Sequence, residues 1–496
     1  GSDVAFDQAA TGLHEALMYR GESPEVYPVE NPATLLNEGE NVLAVEVHNI
    51  STGSSDLTAI PFLVFGMNAR SELYRQGNPY ITLRNVYPHA NFSIDKEGEQ
   101  ITLTEISGVL ADSLYSGGIP PNHSYGRVPG APGTWGYFSN PTPAAPNETT
   151  WYTEYHTDSV QFSHPGGNLG GMGEVELSGT DPGDSIYYTV DGSVPDTSDI
   201  LCTGAVPVNG PTVIRAVIHR AGALPGPVTT RTYMPGWDHD IAVASIAMEP
   251  HDLWDYEEGI YVMGPNADES NPHFGANFWQ DWEKPAHIEL YDEQGERMLA
   301  QDAGTKIFGA WSRAHAQKSM SFFARRAYGD GSFSYRLFPT KPMEKYEAFI
   351  LRNSGNDWSR SMMRDAFTAV LARELGVDHQ AHRPAAVYLN GEYWGLLNMR
   401  EKINEHFVAG NHRRYADSIN LLERNRSVIE GSGTAYQELM QFVTTENMTG
   451  SEAFEEVAKR MDLDNYARYW NLQVYIDNKD WPGNNIKYWS ARAPGS

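Results

Sequence analysis

The sequence predicts a multidomain protein in which N-terminal all-β modules of the Ig-like or β-sandwich type precede an α+β domain. Its 496 residues exceed the size of one ordinary domain. The part before Trp237 contains short apolar runs separated by Gly, Pro, Asn and Ser, which is typical of β modules. Strong helical periodicity begins only after that residue.

The composition is that of a folded protein, with 40% hydrophobic and 11% aromatic residues. No run of about 18 apolar residues occurs, so we expect no membrane span. A net charge of −28 argues against binding to nucleic acid, which requires clustered Lys and Arg. The single cysteine, Cys202, excludes an internal disulfide and a cysteine-based zinc site. Because the chain starts at Gly1-Ser2 without Met, we expect a signal peptide to lie outside it.

The first β region is predicted from alternating apolar residues. A strand is expected at Asn41 to Asn49, and two more are expected within Gly98 to Leu114, joined at Ser107-Gly108. Gly and Pro then dominate from Pro120 to Glu148, which predicts an irregular loop followed by a linker.

A second β unit follows and ends near Pro235-Gly236. Its short strands recur every eight to twelve residues or so, which predicts a small β-sandwich. Asp191-Gly192 is a dipeptide typical of a type I′ hairpin turn.

The last unit has mixed helix and strand signals. Apolar residues at helical spacing predict a helix, with Asn356 or Asp357 as its cap and Gly376 at its end. The residues that carry this periodicity are Met363, Phe367, Val370, Leu371 and Leu375. A hairpin is predicted at Asn390-Gly391. Further helices are predicted around Thr434 to Thr444, Ser451 to Arg460 and Leu463 to Tyr475.

A Gly- and Ser-containing loop leads through Ser312 and Arg313 to Lys318, and then into a strand-like Ser/Phe run. Such a loop could hold phosphates, with Lys as a point charge, Arg as a fork and backbone amides between them. The alternative is a solvated basic loop on an acidic protein.

Asp480 and Asn485 have the Asp-x-x-x-x-Asn spacing of a phosphoryl-transfer catalytic loop. There the Asp orients or deprotonates the acceptor hydroxyl, and the Asn oxygen binds Mg²⁺, which prefers oxygen ligands. The alternative is a simple turn, because Asp-Trp-Pro-Gly-Asn-Asn is turn chemistry in itself. The order of lysine, helix, hairpin and Asp-x4-Asn is that of a kinase.

Three more acidic residues are candidates by their position. Asp365 and Glu374 lie on the predicted helix, where a kinase carries the partner of its phosphate-binding Lys. Glu401 follows the hairpin, where a kinase hinge would meet adenine. Each could equally be a surface charge. Asp281 and Glu283 among tryptophans suggest a glycosidase pair, but no acid/base asymmetry and no barrel repeat accompany them.

Several ordered motifs of the last unit resemble those of the CotH kinase family, the spore-coat protein H-like atypical kinases. The motifs are GIYVMG, NFWQDWEKPAHIELYDEQG, the loop from Gly309 to Lys318, FILRNSGNDW, MMRDAF, VYLNGEYWGLLNMREKI and the closing Asp-x4-Asn. The resemblance covers roughly Asp252 to Trp489. It implies an ATP- and Mg²⁺-dependent protein kinase of reduced kinase-like fold.

By this likeness Lys318 is the phosphate-binding lysine, Asp480 the catalytic acid and Asn485 the metal-side amide. Ser312, Arg313 and Glu401 are added as cofactor contacts, and Asp480 as a second metal ligand. The family pattern continues with an Asp-x-Asp-x-x-[FW]-Gly-like motif that this sequence lacks. We therefore expect a kinase-like domain that is incomplete at its C-terminus, with one carboxylate missing from the metal site.

Shorter resemblances set the other predicted domains. IYYTVDGSVPDTSD and TRTY resemble the chitobiase/β-hexosaminidase C-terminal module. HANFSIDKEGEQITLTEISGVLADS resembles a lamin-tail-type Ig-like domain, and ENVLAVEVHNISTGSSDL the end of a galactose-binding-like domain. The predicted domains are residues 1–66 (galactose-binding-like), 67–150 (lamin-tail-like), 151–236 (chitobiase-like) and 237–496 (CotH kinase-like).

Together these resemblances imply a secreted, modular bacterial kinase that transfers the ATP γ-phosphoryl group to Ser or Thr of extracellular or surface proteins. The alternative is a non-catalytic surface or adhesion protein, in which the kinase-like unit is degenerate and the β modules bind glycans or proteins. Location outside the cell is expected because such chains of modules are typical of exported bacterial proteins.

Overall fold

The computed structural model describes residues 98–492, apart from residues 121–122, 144, 172, 180 and 425. These residues all belong to one compact unit, Phe92–Ser496. The strand expected at Asn41 to Asn49 and the galactose-binding-like domain expected at 1–66 lie outside the described residues. No helix within the described ranges is long and apolar enough to cross a membrane.

The first described elements are short strands. β1 (Gln100–Thr104) and β2 (Leu110–Tyr115) form an antiparallel hairpin, which confirms the two strands predicted there. Gly108 has a φ of 82°, so the predicted Ser107-Gly108 junction needs its glycine. β3 (Ser124–Arg127), β4 (Trp135–Phe138) and β5 (Trp151–Tyr152) follow as a second antiparallel sheet.

The next unit is a β-sandwich, as predicted. Its strands are β6 (Glu154–Tyr155), β7 (Gln161–Phe162), β8 (Gly167–Asn168), β9 (Gly173–Val175), β10 (Leu177–Ser178), β11 (Asp184–Thr189), β12 (Ile200–Leu201), β13 (Val206–Val208), β14 (Thr212–Arg220), β15 (Ala223–Leu224) and β16 (Thr229–Met234). The largest sheet has the order β12-β11-β14-β16-β8. Val175, Val206, Val208, Ile214 and Tyr233 are buried together between the layers.

The turn predicted at Asp191-Gly192 is wider than a type I′ hairpin. β11 pairs with β12 across the whole segment 190–199, and only Gly192 of the dipeptide has a positive φ, 92°. A type I′ turn requires positive φ at both central residues. Asp191 instead accepts hydrogen bonds from the backbone and side chain of Ser193, which closes an Asx turn.

A closed β-barrel forms the centre of the C-terminal unit. Its strands are β17 (Ala242–Ala247), β18 (Lys284–Tyr291), β19 (Arg297–Phe308), β20 (Ser319–Phe323), β21 (Ala348–Arg352), β22 (His382–Leu389) and β23 (Glu392–Glu401). Around the barrel they follow the order β17-β18-β19-β20-β21-β23-β22. Side chains alternate along each strand, so Phe322, Phe349 and Leu351 fill the interior while their neighbours face outward.

Helices and a small sheet complete the unit. The helices are α1 (Pro250–Trp254), α2 (Arg364–Glu374), α3 (Glu405–His412), α4 (Thr434–Thr445), α5 (Ser451–Arg460) and α6 (Leu463–Tyr475). The small sheet is built from β24 (Ile419–Glu423), β25 (Ser427–Glu430) and β26 (Lys487–Ala491) in the order β25-β24-β26. The predicted helices and the Asn390-Gly391 hairpin are thereby confirmed.

Helix α2 is where its sequence predicts it, but it buries a different face. Its buried residues are Ala366, Ala369 and Ala372, whereas Met363 and Phe367 of the apolar periodicity are 66% and 61% exposed. Ala372 packs with Val377 and with Leu472 of α6, so the alanine face is a packing surface of the helix. Asp357 fulfils the predicted capping role from a distance, because its carboxylate accepts the backbone N–H groups of Met363 and Arg364.

The sandwich packs directly on the barrel. The Tyr291 hydroxyl on β18 donates to the Thr232 carbonyl at 3.1 Å, and the hydroxyls of Thr232 and Ser245 are 2.7 Å apart. Asn390, at the tip of the β22-β23 hairpin, exchanges hydrogen bonds with the backbone of Met248 and lies against Gly192 of the sandwich. The two units are therefore joined by buried polar contacts.

Candidate active site

The order of elements on the barrel sets the position of the site. The loop from Gly309 to Lys318 joins β19 to β20, the next strand is β21, and α2 follows it. Protein kinases have the same order: a Gly-containing loop between two strands, a strand with a cation, and a helix with its acidic partner. The outward faces of β19, β20, β21 and β23 therefore form the surface on which a kinase site is expected.

Lys318 is buried at the start of this surface. Its ammonium donates to the carbonyls of Arg313 at 2.7 Å and His315 at 3.0 Å, and lies 3.9 Å from the centre of the Phe278 ring. Burial lowers the pKa of Lys318 to about 8. Two carbonyls and a ring already satisfy this cation, so it holds the loop together. Its predicted role with phosphates stays a prediction that this placement does not favour.

Arg313 has the same kind of environment. Its guanidinium donates to the carbonyls of Gly309 at 2.6 Å, Phe278 at 3.1 Å and Trp279 at 3.2 Å. The Ser312 carbonyl accepts the Asn353 amide at 3.3 Å. The charged side chain of Arg313 is therefore turned toward backbone carbonyls, and the cofactor contacts predicted for Ser312 and Arg313 stay predictions.

Glu401 is also directed into the protein. It is 2% exposed, pairs with the buried Lys341 at 3.4 Å, and accepts the Ala381 backbone N–H at 2.7 Å. Its other oxygen accepts the Asn411 amide at 3.2 Å. These contacts satisfy both oxygens, so Glu401 serves to attach α3 to the barrel. The contact with adenine that was predicted for Glu401 stays a prediction.

An ion pair that joins β21 to α2 was only partly foreseen. Arg352 Nε donates to Asp365 Oδ2 at 2.6 Å, and Arg400 Nη1 of β23 lies 3.3 Å from the same oxygen. Asp365 was a candidate from its helix, but neither arginine was singled out. The signal was available in FILRN, where the arginine ends the strand before the helix. Asp365 Oδ1 and two nitrogens of the buried Arg400 have no hydrogen-bond partner within the described part of the chain.

Asp480 and Asn485 are brought together in the loop between α6 and β26. The Asn485 amide nitrogen donates to Asp480 Oδ2, and the Asn484 amide nitrogen donates to Asp480 Oδ1 at 3.1 Å. Both residues are exposed. Asn485 has a φ of 53°, which an Asn tolerates well. The spacing therefore does juxtapose acid and amide, with the Asn485 carbonyl oxygen free of the contact.

These groups fit Mg²⁺ in the way that it is usually bound. The ion prefers oxygen ligands and is commonly held by one or two carboxylates together with substrate phosphates. Asp480 supplies a carboxylate and Asn485 an amide oxygen. The described residues contain no cluster of three or more His, Cys, Asp and Glu suited to a metal, so Asp480 and Asn485 would hold Mg²⁺ only together with further ligands such as phosphates or water.

A group of lysines beside this loop was missed by the sequence reasoning. Lys487 begins β26 two residues after Asn485, and its ammonium donates to the Ile403 carbonyl at 3.0 Å. Ile403 follows Lys402, which lies near Lys306 of β19. These lysines are far apart in the sequence, so only the fold reveals the group. Lys402 also lines a cavity of about 130 Å³. This volume is smaller than the roughly 300–1,000 Å³ of typical ligand pockets.

Two family models match parts of this chain. Residues 305–495 match the model described as CotH kinase protein, and residues 164–230 match the Chitobiase/beta-hexosaminidase C-terminal domain. No curated protein matches the chain. The lamin-tail likeness and the predicted domain boundaries remain predictions. The chain is thus a multidomain protein in which a chitobiase/β-hexosaminidase C-terminal-like domain precedes a domain of the CotH kinase family.

Proposed function

We propose that the C-terminal unit is an atypical protein kinase that transfers the γ-phosphoryl group of ATP to a Ser or Thr hydroxyl. The observation that carries the proposal is the Arg352–Asp365 pair, which links the strand after the loop to the helix at 2.6 Å. In protein kinases a strand lysine and a helix glutamate form this link. The Asp480–Asn485 contact and the CotH family match support the same function.

The reaction assigns each residue a role. The acceptor oxygen forms a bond to the γ-phosphorus, the bond from that phosphorus to the β,γ-bridging oxygen breaks, and ADP leaves. The acceptor proton passes to Asp480, and Asn485 would hold the metal through its amide oxygen. Mg²⁺, when bound, neutralises charge on the phosphates. The Arg352–Asp365 pair positions α2 against the barrel.

Arg352 occupies the position of the strand lysine of protein kinases, and an arginine can make contacts that a lysine cannot. The guanidinium stays charged at all working pH values and presents several donors in one plane. One edge of this plane binds Asp365, and the remaining N–H groups of the partly exposed Arg352 are available to an anion. A carboxylate or phosphate is the group that such forks bind best.

We further propose a secreted bacterial protein that phosphorylates extracellular or surface proteins, with the β modules as possible glycan-binding units. The module match at 164–230 supports this assignment, because such modules accompany exported enzymes. The non-catalytic adhesion alternative is favoured by one observation. Lys318, Arg313 and Glu401 are all engaged in contacts within the protein.

Transfer from ATP tests the two functions against each other. The protein is incubated with Mg²⁺ and γ-labelled ATP, with and without added Ser/Thr-rich polypeptide, and label on protein is measured. We expect incorporation that falls about a hundredfold or more in Asp480→Asn, which removes the proton acceptor. Asp464→Asn is the matched control, because Asp464 is an exposed acid on α6 paired with Arg468. Absence of label in the unaltered protein would favour the adhesion function.

A further inference from the structure

The ring of Phe323, at the end of β20, is surrounded by cations on the outer face of the barrel. The ammonium of Lys402 is 5.2 Å from the ring centre, that of Lys306 is 5.8 Å, and the guanidinium carbon of Arg325 is 5.0 Å. Lys402 also lies 5.3 Å from the centre of Phe308. Aromatic faces attract cations, but three cations around one ring repel each other and require compensating negative charge.

Nearby carboxylates form ion pairs with two of these three cations but not with the third. Arg325 makes a two-fold contact with Glu283, at 2.7 and 2.9 Å, and Lys306 pairs with Asp281 at 3.0 Å. Lys402 forms no ion pair with any described residue. Lys402, at the centre of the cluster, therefore has no carboxylate of the described residues within ion-pair distance.

Lys487 brings a further positive charge to the same place. Its ammonium donates to the Ile403 carbonyl, one residue after Lys402, and lies 3.9 Å from Glu423. Lys402 is therefore faced by Lys306 from β19 and Lys487 from β26. The acids that face it are Asp281, from the loop before β18, and Glu405, from α3. Burial and the two lysines lower the pKa of Lys402 to about 8.

We propose that Lys306, Lys402 and Lys487 form a binding site for a chain of phosphate groups, located around Phe323 and not at the Lys318 loop. A linear triphosphate supplies several closely spaced negative oxygens, which suits three separate ammonium groups better than a single carboxylate does. The site lies beside the metal loop, because Lys487 follows Asn485 by two residues. This proposal depends on the proposed kinase function in one respect only, namely that the triphosphate is part of a nucleotide.

The choice of Lys402 as the test residue follows from its surroundings. Its ammonium lies over the rings of Phe308 and Phe323, and Met keeps an unbranched apolar chain while removing the charge. Arg retains the charge and is the conservative variant. Lys459, an exposed lysine on α5 paired with Glu456, is the matched control. Lys487→Met serves as a second variant if Lys402→Met proves unstable.

Binding of inorganic tripolyphosphate, ATP and adenosine to the full chain is measured by calorimetry without metal. We expect tripolyphosphate and ATP to bind, adenosine to bind far more weakly, and affinity for both anions to fall about tenfold or more in Lys402→Met, the loss expected for a charged hydrogen bond. Lys402→Arg retains binding, and Lys459→Met does not change it. Binding of ATP without tripolyphosphate would identify recognition of the nucleoside instead and overturn the proposal.

Other outcomes separate this site from the kinase function. Asp480→Asn is expected to bind tripolyphosphate normally, because it leaves the lysines in place. Tripolyphosphate binding without any phosphoryl transfer would remove the kinase function and leave the site. Unchanged affinity in a folded Lys402→Met protein, or loss of affinity in Lys318→Met but not in Lys402→Met, would remove the site.

Discussion

Arg352 and Asp365 are joined by a 2.6 Å hydrogen bond between Nε and Oδ2, which connects strand β21 to helix α2. Arg400 on β23 approaches the same carboxylate at 3.3 Å. A single carboxylate thus pairs with two arginines, one of them only 3% exposed. A helix that is held on the barrel by one acid is sensitive to the loss of that acid.

Asp365→Asn is therefore expected to destabilise the protein. Removing the carboxylate leaves the buried Arg400 without its nearest anion, which costs about 2–4 kcal/mol in the free energy of unfolding. Urea unfolding followed by tryptophan fluorescence measures this. Asp464→Asn breaks an exposed pair with Arg468 and should change stability by less than about 1 kcal/mol. Equal effects of the two variants would contradict the proposed importance of Asp365.

Lys318 gives a prediction for alkaline pH. Burial lowers its pKa to about 8 in the folded protein, from 10.5 as its usual value. Between these values the unfolded chain binds more protons than the folded one, so this group makes stability rise with pH. Below pH 8 the cost of the buried charge is fully present, and above about 10.5 it is relieved, by up to about 3 kcal/mol.

The comparison that isolates this effect uses Lys318→Met. Other lysines and tyrosines also titrate in this range, but they are shared by both proteins. The stability of the unaltered protein relative to Lys318→Met should therefore increase from pH 7.5 to pH 10. A difference that stays constant with pH would show that the ammonium is not buried as the contacts with Arg313 and His315 require.

Asp357 gives a prediction for acid pH. Hydrogen bonds from Ser361 and from the backbone N–H groups of Arg364 and Met363 lower its pKa to about 2. Since the folded pKa is below the unfolded one, this carboxylate stabilises the fold above about pH 4, and the contribution is lost as pH falls toward 2. Asp357→Ala should cost about 1–2 kcal/mol at pH 7, the range measured for helix caps. The difference in free energy of unfolding between the unaltered protein and Asp357→Ala should shrink as the pH is lowered toward 2, which unfolding curves measured at acid pH would show.

The sequence was sufficient for elements whose signals are local. Helix α6 has the predicted bounds, Leu463 to Tyr475, because its cap Asp462 and its apolar spacing lie within the same segment. The Asp480–Asn485 contact was likewise predictable, since a short loop keeps residues five apart close together. In both cases the determining interactions are separated by few residues.

Long-range packing explains what could not be predicted. The apolar residues of α2 suggested a buried face, but the helix buries its alanines instead, and Ala372 packs with Leu472 of α6. On the barrel side, Asp365 of this helix pairs with Arg352 and Arg400. Lys318 was expected to bind phosphates or, alternatively, to lie in a solvated loop, and the carbonyls of Arg313 and His315 bind it only once the loop has folded. The three lysines of the proposed phosphate site come from β19, the segment after β23, and β26, and no spacing rule connects such distant positions.

Gly192 offers a test of the junction between the sandwich and the barrel. A Cβ at this position would overlap the side chain of Asn390, which is held by hydrogen bonds to Met248. Gly183 has a similar φ, 98° against 92°, but a Cβ there would meet no atom. Both alanine variants carry the same backbone strain, about 1 kcal/mol. Gly192→Ala adds overpacking of about 1–3 kcal/mol, so its free energy of unfolding should fall below that of Gly183→Ala. Equal values in urea unfolding would show that the sandwich does not press on the Asn390 hairpin in solution.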